Sequence, residues 1–374
     1  MNNSGTTTWS GGDIRNSGTA STLNNLAGGI FDAQGDDAFN VINGSGVVFN
    51  NAGLFKKSAG EGRTAFESGW TFNNTGTVEV QTGTLSLRSV PQIVGTSLTA
   101  GEWIVNDGAN LTITAGSNVT INLATVRLRG PDSTFNKINT LEVNAGTFEI
   151  DEGRDFDTVG DFLNSGTLAI GTASAFTASG DFSQLASGVV SLEIGGLDAD
   201  TQFGRLLVEG RASLDGSLDV RLVDGFLPTA GDSFEVLTFS SRVGEFSGFS
   251  GLDLDAGLSL TPQYNAGSLT LIASRFSDLT GNGFVDFEDL TVLLANWNKE
   301  VGSEFGNLVD PTTTLVNFKD LTVLFADWTG PGPAASPEAA LGEEAVPEPS
   351  SLALLAIAVL GLGVRWRRRR RGST

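Results

Sequence analysis

Neither cysteine nor histidine occurs in the 374 residues. Their absence excludes Ser-His-Asp and Cys-His catalysis, zinc sites of the usual ligands, and haem or iron–sulfur ligation. It also excludes a disulfide framework, so thiols say nothing about redox compartment. Basic residues are scarce, with 22 Lys plus Arg against 43 Asp plus Glu. Six Arg crowd the C-terminus, at Arg365, Arg367, Arg368, Arg369, Arg370 and Arg371, so the body sets 16 bases against 43 acids, a formal −27. Such a body repels a phosphate backbone, which excludes nucleic acid as a partner and favours hard cations. There is one Tyr, Tyr264, against 24 Phe and six Trp. Sugar platforms prefer rings with a polar handle, which this composition hardly offers. No two carboxylates have a spacing that marks a glycoside-hydrolysing pair.

Glycine, by contrast, is abundant: 49 residues, about 13%, near double its usual share. Little helical periodicity precedes residue 286. Short alternating stretches recur instead, such as Thr77-Val78-Glu79-Val80 and Leu111-Thr112-Ile113-Thr114, separated by Gly, Asn, Asp and Ser. An Asn-x-Gly punctuation returns at Asn16, Asn51, Asn74, Asn106, Asn144 and Asn164, commonly with strand text after it, as in FNNTGTVEV and FLNSGTLAI. Asn and Gly tolerate the left-handed conformation of tight corners, so the repeat marks a repeated turn. A period in the low twenties suits one rung of a solenoid. The expected fold is mainly β: a right-handed parallel β-solenoid over 1–176, a β-rich capping segment over 177–275, a small α-helical unit over 276–330, a Pro-rich linker over 331–349, and a C-terminal apolar helix with its Arg cluster over 350–371. Within the second segment Asp215-Gly216 reads as a hairpin turn. The first stretch resembles the β-helical passenger repeats of bacterial adhesins and autotransporters.

One constellation carries chemistry. Residues 278–289, DLTGNGFVDFED, align as a twelve-residue calcium loop. Asp278, Thr280, Asn282, the carbonyl of Phe284, Asp286 and Asp289 would supply oxygens, and Gly283 the sharp turn. Thr280 is a neutral hydroxyl and Asp289 has less reach than Glu, which predicts a weaker, extracellular class of Ca2+ site. Val285 should face a core. The text FEDLTVLLANW from Phe287 returns as FKDLTVLFADW from Phe318, identical at eight of eleven positions. The second loop lacks most ligands and keeps Asn317 and Asp320. Residues 278–330 resemble a dockerin, a duplicated EF-hand-like module, which implies docking of a cohesin-like protein; the degenerate second half departs from that pattern. A smaller acidic turn at Asp151, Glu152, Asp155 and Asp157 reads as a solvated corner.

The C-terminus runs VPEPSS, then thirteen apolar residues from Leu352 to Val364, then the Arg cluster. As a helix, thirteen residues rise about 20 Å against a ~30 Å hydrocarbon core, so snorkelling Arg must stretch the span. The Arg would stay cytoplasmic and leave 1–349 outside. Pro347-Glu348-Pro349, the apolar anchor (Leu352, Leu355, Ile357, Val359, Leu360, Leu362) and the Arg cluster, in that order, resemble the PEP-CTERM sorting signal of exported bacterial proteins. The resemblance implies recognition in the membrane by an exosortase-type processing enzyme. Such proteins carry an N-terminal signal peptide; the opening MNNSGTTTWSGG has none, which suggests that Met1 is an internal start. The preferred reading is an exported, non-catalytic surface or matrix protein. The competing readings are a carbohydrate-active β-helix protein, lyase-like or binding extracellular polysaccharide, and a dockerin-type partner-binding module.

Overall fold

The computed structural model describes residues 1–254, 258–309 and 315–330. The expected linker, apolar helix and Arg cluster lie outside the described residues, as do Pro311, Thr313 and Thr314 of the second loop. Among the described residues no helix is long and apolar enough to cross a membrane.

From residue 2 to residue 250 the chain winds so that each coil gives one strand to each of three faces. One face is a single 11-stranded sheet that begins Thr6–Trp9, Ile30–Ala33, Leu54–Lys57 and ends Val189–Ile194, Ser217–Leu222, Gly248–Ser250. All its neighbours are parallel. The second face carries two successive six-stranded sheets, and the third a four-stranded sheet followed by an eight-stranded one. This is a parallel β-solenoid, and its register stacks like on like: Phe49 on Phe72, Asn50 on Asn73, Asn51 on Asn74.

Alternation along each strand turns one side chain in and the next out, so the interior is a column of apolar residues. Phe supplies much of it: Phe31 stacks on Phe55 at 5.5 Å, Phe39 on Phe66 at 3.9 Å and Phe49 on Phe72 at 5.2 Å. All six are buried. A ring with no hydroxyl has no polar atom to satisfy there, which explains why Phe outnumbers Tyr so heavily.

The Asn-x-Gly corners work differently from the sequence expectation. Gly53, Gly76, Gly146 and Gly166 are not in the left-handed region. They are required because adjacent coils approach too closely for a side chain. A Cβ at Gly166 would lie 2.1 Å from the Gly146 carbonyl oxygen, and one at Gly76 would lie 2.3 Å from that of Gly53. The asparagines point inward and form ladders. Asn3 donates to Asn25, Asn25 to Asn51 and Asn51 to Asn74, each amide to the next amide oxygen at 2.7–2.8 Å. After a break, Asn122, Asn144, Asn164 and Gln184 repeat the device at 2.9 Å. Each Nδ2 also donates to a strand carbonyl of the next coil, as Asn51 does to Thr77 and Asn144 to Thr167. Asn16 and Asn106 stand outside these ladders, and Gly108 alone of the six motif glycines is left-handed, at φ 67°.

Two further expectations are corrected. The parallel stacking does not end at residue 176: Ala175–Ala178 pairs with Arg205–Val208, Val189–Ile194 with Ser217–Leu222, and that strand with Gly248–Ser250, all parallel. The longer, cleaner strands that suggested a separate segment are coils of the same solenoid. Asp215-Gly216 is not a hairpin either. Gly216, at φ 62°, turns the chain from Arg211–Leu214 in the eight-stranded sheet to Ser217–Leu222 in the long one. Antiparallel pairing appears briefly at Ile93–Val94 with Ser97–Leu98 and then at the end, where Ser268–Arg275 lies between Ser233–Thr238 and Leu258–Tyr264. That arrangement covers a strand edge that would otherwise continue the parallel ladder.

Helices α1 (Phe287–Ala295) and α2 (Phe318–Ala326) follow. They pack together through a second, smaller core of Val285, Leu290, Leu293, Val316, Leu321 and Leu324. The duplication is visible in the contacts. Phe287 meets Trp328 edge to face at 5.0 Å, and Trp297 meets Phe318 the same way at 5.0 Å. Likewise Val285 and Thr329 exchange hydrogen bonds, while Val316 donates to the Lys299 carbonyl and accepts from Asn298 N–H. Asp327 ties the pair to the last strand through Arg275 at 3.2 Å and the Ser277 hydroxyl at 2.7 Å.

Candidate functional site

The loop 278–289 stands at the start of α1. Gly283 holds φ 88°, which only glycine adopts without strain, and Val285 is buried as its loop position required. Asp278 is the centre of the turn. Its Oδ1 accepts from Asn282 N–H at 3.1 Å and its Oδ2 from Gly283 N–H at 2.8 Å. Burial pushes its carboxyl above the ordinary range despite those bonds, and the charge of Asp289 adds to the push. Asp289 is fully buried; its Oδ1 accepts from the N–H and hydroxyl of Thr280, both at 2.9 Å, and its Oδ2 from Asp286 N–H at 2.8 Å. Asn282 Oδ1 takes the Phe284 N–H, and Asp286 turns to the helix and accepts from Glu288 N–H at 2.8 Å.

The fold therefore brings Asp278, Thr280, Asn282 and Asp289 around one turn, whereas Asp286 caps α1. Among the described residues no three acidic side chains converge as a ready metal cluster. Asp320 explains part of this. In the second loop it too is fully buried, accepting from Leu308 and Val309 N–H through Oδ1 and from Asn317 N–H through Oδ2. The last acid of each loop thus closes the turn and caps the helix in both copies, including the one that lost its other ligands. Asp278 Oδ2 and Asp289 Oδ2 each accept one of these hydrogen bonds, whereas Asp289 Oδ1 accepts two.

A second candidate was not singled out by motif. On the outward side of the long sheet, Arg127, Arg129, Glu149, Asp151, Glu193 and Arg221 rim a cleft of 260 Å³ floored by Ala169 and Gly171. Register explains it. Arg127 stacks on Glu149, Glu149 on Ala169, Ala169 on Ser191 and Ser191 on Asp219. The coil contributing Ala169 and Gly171 offers no long side chain between its neighbours. Arg127 forms ion pairs with Glu102 at 3.1 Å and with Glu149, and Arg129 reaches Glu149 at 3.6 Å. Basic residues thus pair with acids at adjacent rung positions. Across the gap, burial raises the Glu193 carboxyl above its ordinary range, and the charges of Asp151 and Glu149 raise it further. The outward positions of TVRLR, TFEID, TLAI and VVSLEI carry the signal, but only once the rungs are aligned.

The acidic turn after Asp151 is a corner. Glu152 and Gly153 are left-handed at φ 58° and 83°, and Asp155 accepts from Ala175 N–H in the next coil at 2.8 Å.

Pro347, Glu348, Pro349, the apolar run and the Arg cluster lie outside the described residues, and there the comparison with known families speaks. No curated protein matches the chain. Residues 345–370 match the family described as the PEP-CTERM protein-sorting motif. Such signals are processed by exosortase, a membrane enzyme, so the match points to an exported protein associated with the cell envelope.

Proposed function

We propose that this is a non-catalytic surface or matrix protein: a solenoid displayed outside the cell, tethered by the apolar run from Leu352 until processing near Pro347–Pro349, and carrying one calcium-binding loop. The observation that carries the reading is the joining, in one chain, of a long parallel solenoid to a C-terminal sorting motif. A chain without His or Cys that spends its outward positions on stacked ion pairs suits display better than turnover. In the cell, removing residues 345–370 should leave the protein unprocessed and out of the envelope fraction. Normal processing of the truncated chain would refute the sorting role.

Calcium is the proposed ligand of Asp278, Asp289, Thr280 and Asn282, with the Phe284 carbonyl completing the set. It would offset the charge that burial makes costly on Asp278. Titrating calcium into the full chain should release heat and raise the stability of the helix pair, and Asp278→Asn should abolish both effects. Identical behaviour of the variant would remove the site. The loss of ligands in the second loop argues against symmetric docking of a cohesin-like partner.

A further inference from the structure

The cleft over Ala169 and Gly171 has the makings of a binding site independent of both the sorting motif and the calcium loop. It is a slot one strand wide. With sheet strands about 4.8 Å apart, the coils carrying Glu149 and Ser191 stand roughly 9–10 Å from each other across it. Gly171 makes room for the Asp151 carboxylate that lies over it, since a Cβ there would be 1.9 Å from Asp151 Oδ1. The charges on the rim are unevenly satisfied. Arg127 is engaged by Glu102 and Glu149, and Arg221 by Asp219 at 3.0 Å. Among the described residues Asp151 and Glu193, facing each other over the floor, hold no salt bridge. Arg129 keeps a buried Nε–H with no acceptor. The slot therefore offers two carboxylates without a salt bridge, flanked by guanidinium donors in a body of strongly negative charge. Among the described residues the Asp151 carboxylate accepts only from Glu152 N–H, at 2.7 Å, and Glu193 lies beside Arg221 in register, while the Ser191 hydroxyl is given to Asp219.

We propose that this slot binds one amino-sugar unit of an extracellular polysaccharide, its ammonium between Asp151 and Glu193 and its hydroxyls on Arg129 and Arg221. A hydroxylated ring needs donors and acceptors interleaved, and the slot supplies both. An acidic sugar would meet Asp151 and Glu193 with like charge and would be repelled by the whole body. A neutral sugar would leave those two carboxylates without their cation.

The test is calorimetric titration of the full chain with a fully de-N-acetylated glucosamine tetramer, its N-acetylated counterpart, and a glucuronate tetramer. Binding is expected for the first alone. Affinity should fall at least tenfold in Glu193→Gln, which removes one carboxylate, and in Ala169→Phe, which fills the slot without changing charge. Glu142→Gln, an exposed acid on another face, should leave it unchanged. Equal binding of the N-acetylated tetramer, tighter binding of glucuronate, or no heat with any of the three would overturn the assignment. So would an equal loss in Glu142→Gln and Glu193→Gln, which means attraction to bulk charge. Should Ala169→Phe not fold, the Glu193→Gln and Glu142→Gln pair still decides.

Discussion

Asn144 lies in the middle of the second ladder, fully buried, and replacing it tests whether the ladder holds adjacent coils together. Its amide donates to Asn164 Oδ1 and to the Thr167 carbonyl, both at 2.9 Å, and its oxygen accepts from Asn122 Nδ2 at 2.9 Å. Asn144→Leu keeps the heavy-atom count and branching but leaves Asn164 Oδ1 without its buried donor and takes an acceptor from Asn122. Each buried polar group so stranded costs about 1–3 kcal/mol, so with two of them the variant should lose roughly 2–6 kcal/mol. Asn144→Asp separates hydrogen bonding from shape. The carboxylate still accepts from Asn122, but it aims lone pairs at Asn164 Oδ1 and the Thr167 carbonyl. Buried without a cation, its folded pKa lies above the unfolded value, so the penalty is full at neutral pH and fades as pH falls through the folded pKa. The assay is denaturant unfolding followed by the fluorescence of fully buried Trp103, together with amide exchange in the coils of Asn122 and Asn164. Exchange is needed because a stacked array can open locally around a damaged rung. An Asn144→Leu protein within about 0.5 kcal/mol of wild type would refute the reasoning, as would an Asn144→Asp protein whose penalty ignores pH.

Three further outcomes are expected. Gly166→Ala should cost about 1–3 kcal/mol by denaturant unfolding, because its Cβ would press on the Gly146 carbonyl, whereas Gly18→Ala, with nothing within 4 Å, should be near neutral. In the helix pair, Trp297→Ala and Phe318→Ala should show a coupling of about 0.5–1.5 kcal/mol in a double-mutant cycle, matched by Phe287→Ala with Trp328→Ala; absence of coupling in either pair would break the symmetry. In thermal melts against pH, stability should fall below about pH 4. Burial works against Asp32 and Asp219, yet the Ser58, Gln34 and Lys56 contacts of the first and the Ser250, Ser191 and Arg221 contacts of the second hold both below 3.8, so the stability they provide is present above that value and lost as pH drops through their folded values. Glu193 and Asp278, raised by burial, act the other way: they penalise the fold as they ionise, so the penalty grows as pH rises from their unfolded toward their folded values.

The solenoid was legible because its corners recur as text. FNNTGTVEV and FLNSGTLAI announce a coil each time, and the structure stacks those coils in register. The reason for the motif was not legible. A sequence shows that Gly166 follows Asn164 by two, but not that a carbonyl from the preceding coil lies where its Cβ would be. The ladder also runs through Asn25 and Asn122, which have no glycine two residues on, so the asparagine is the constant element and the glycine answers to local crowding. The change in strand texture near Phe176 misled for a related reason. Longer strands alter the text without altering the pairing partner, and parallel partners lie twenty to thirty residues apart, beyond the reach of local pattern. The turn at 278–289 was readable at Gly283, which is left-handed, and at Val285, which is buried. The double use of Asp289 became visible only through Asp320, its counterpart in the degenerate copy.

The inner and outer halves of each coil answer to different constraints, and this bears on where function can reside. Inward positions are fixed three ways: by the Phe stacks, by the Asn ladders and by glycines that permit close approach. Outward positions on the long sheet touch only their neighbours one rung away. Replacing Arg127 breaks its half-buried pairs with Glu102 and Glu149 and leaves the apolar core untouched. A small residue at an outward position, as at Ala169, costs almost no stability while opening a slot between two coils. A solenoid can therefore place a recognition site on any coil by varying only that coil's outward residues. The cleft at Ala169 and Gly171 is such a variation. Its inward neighbours Leu168 and Ile170 stay buried in the common core while the outer surface changes.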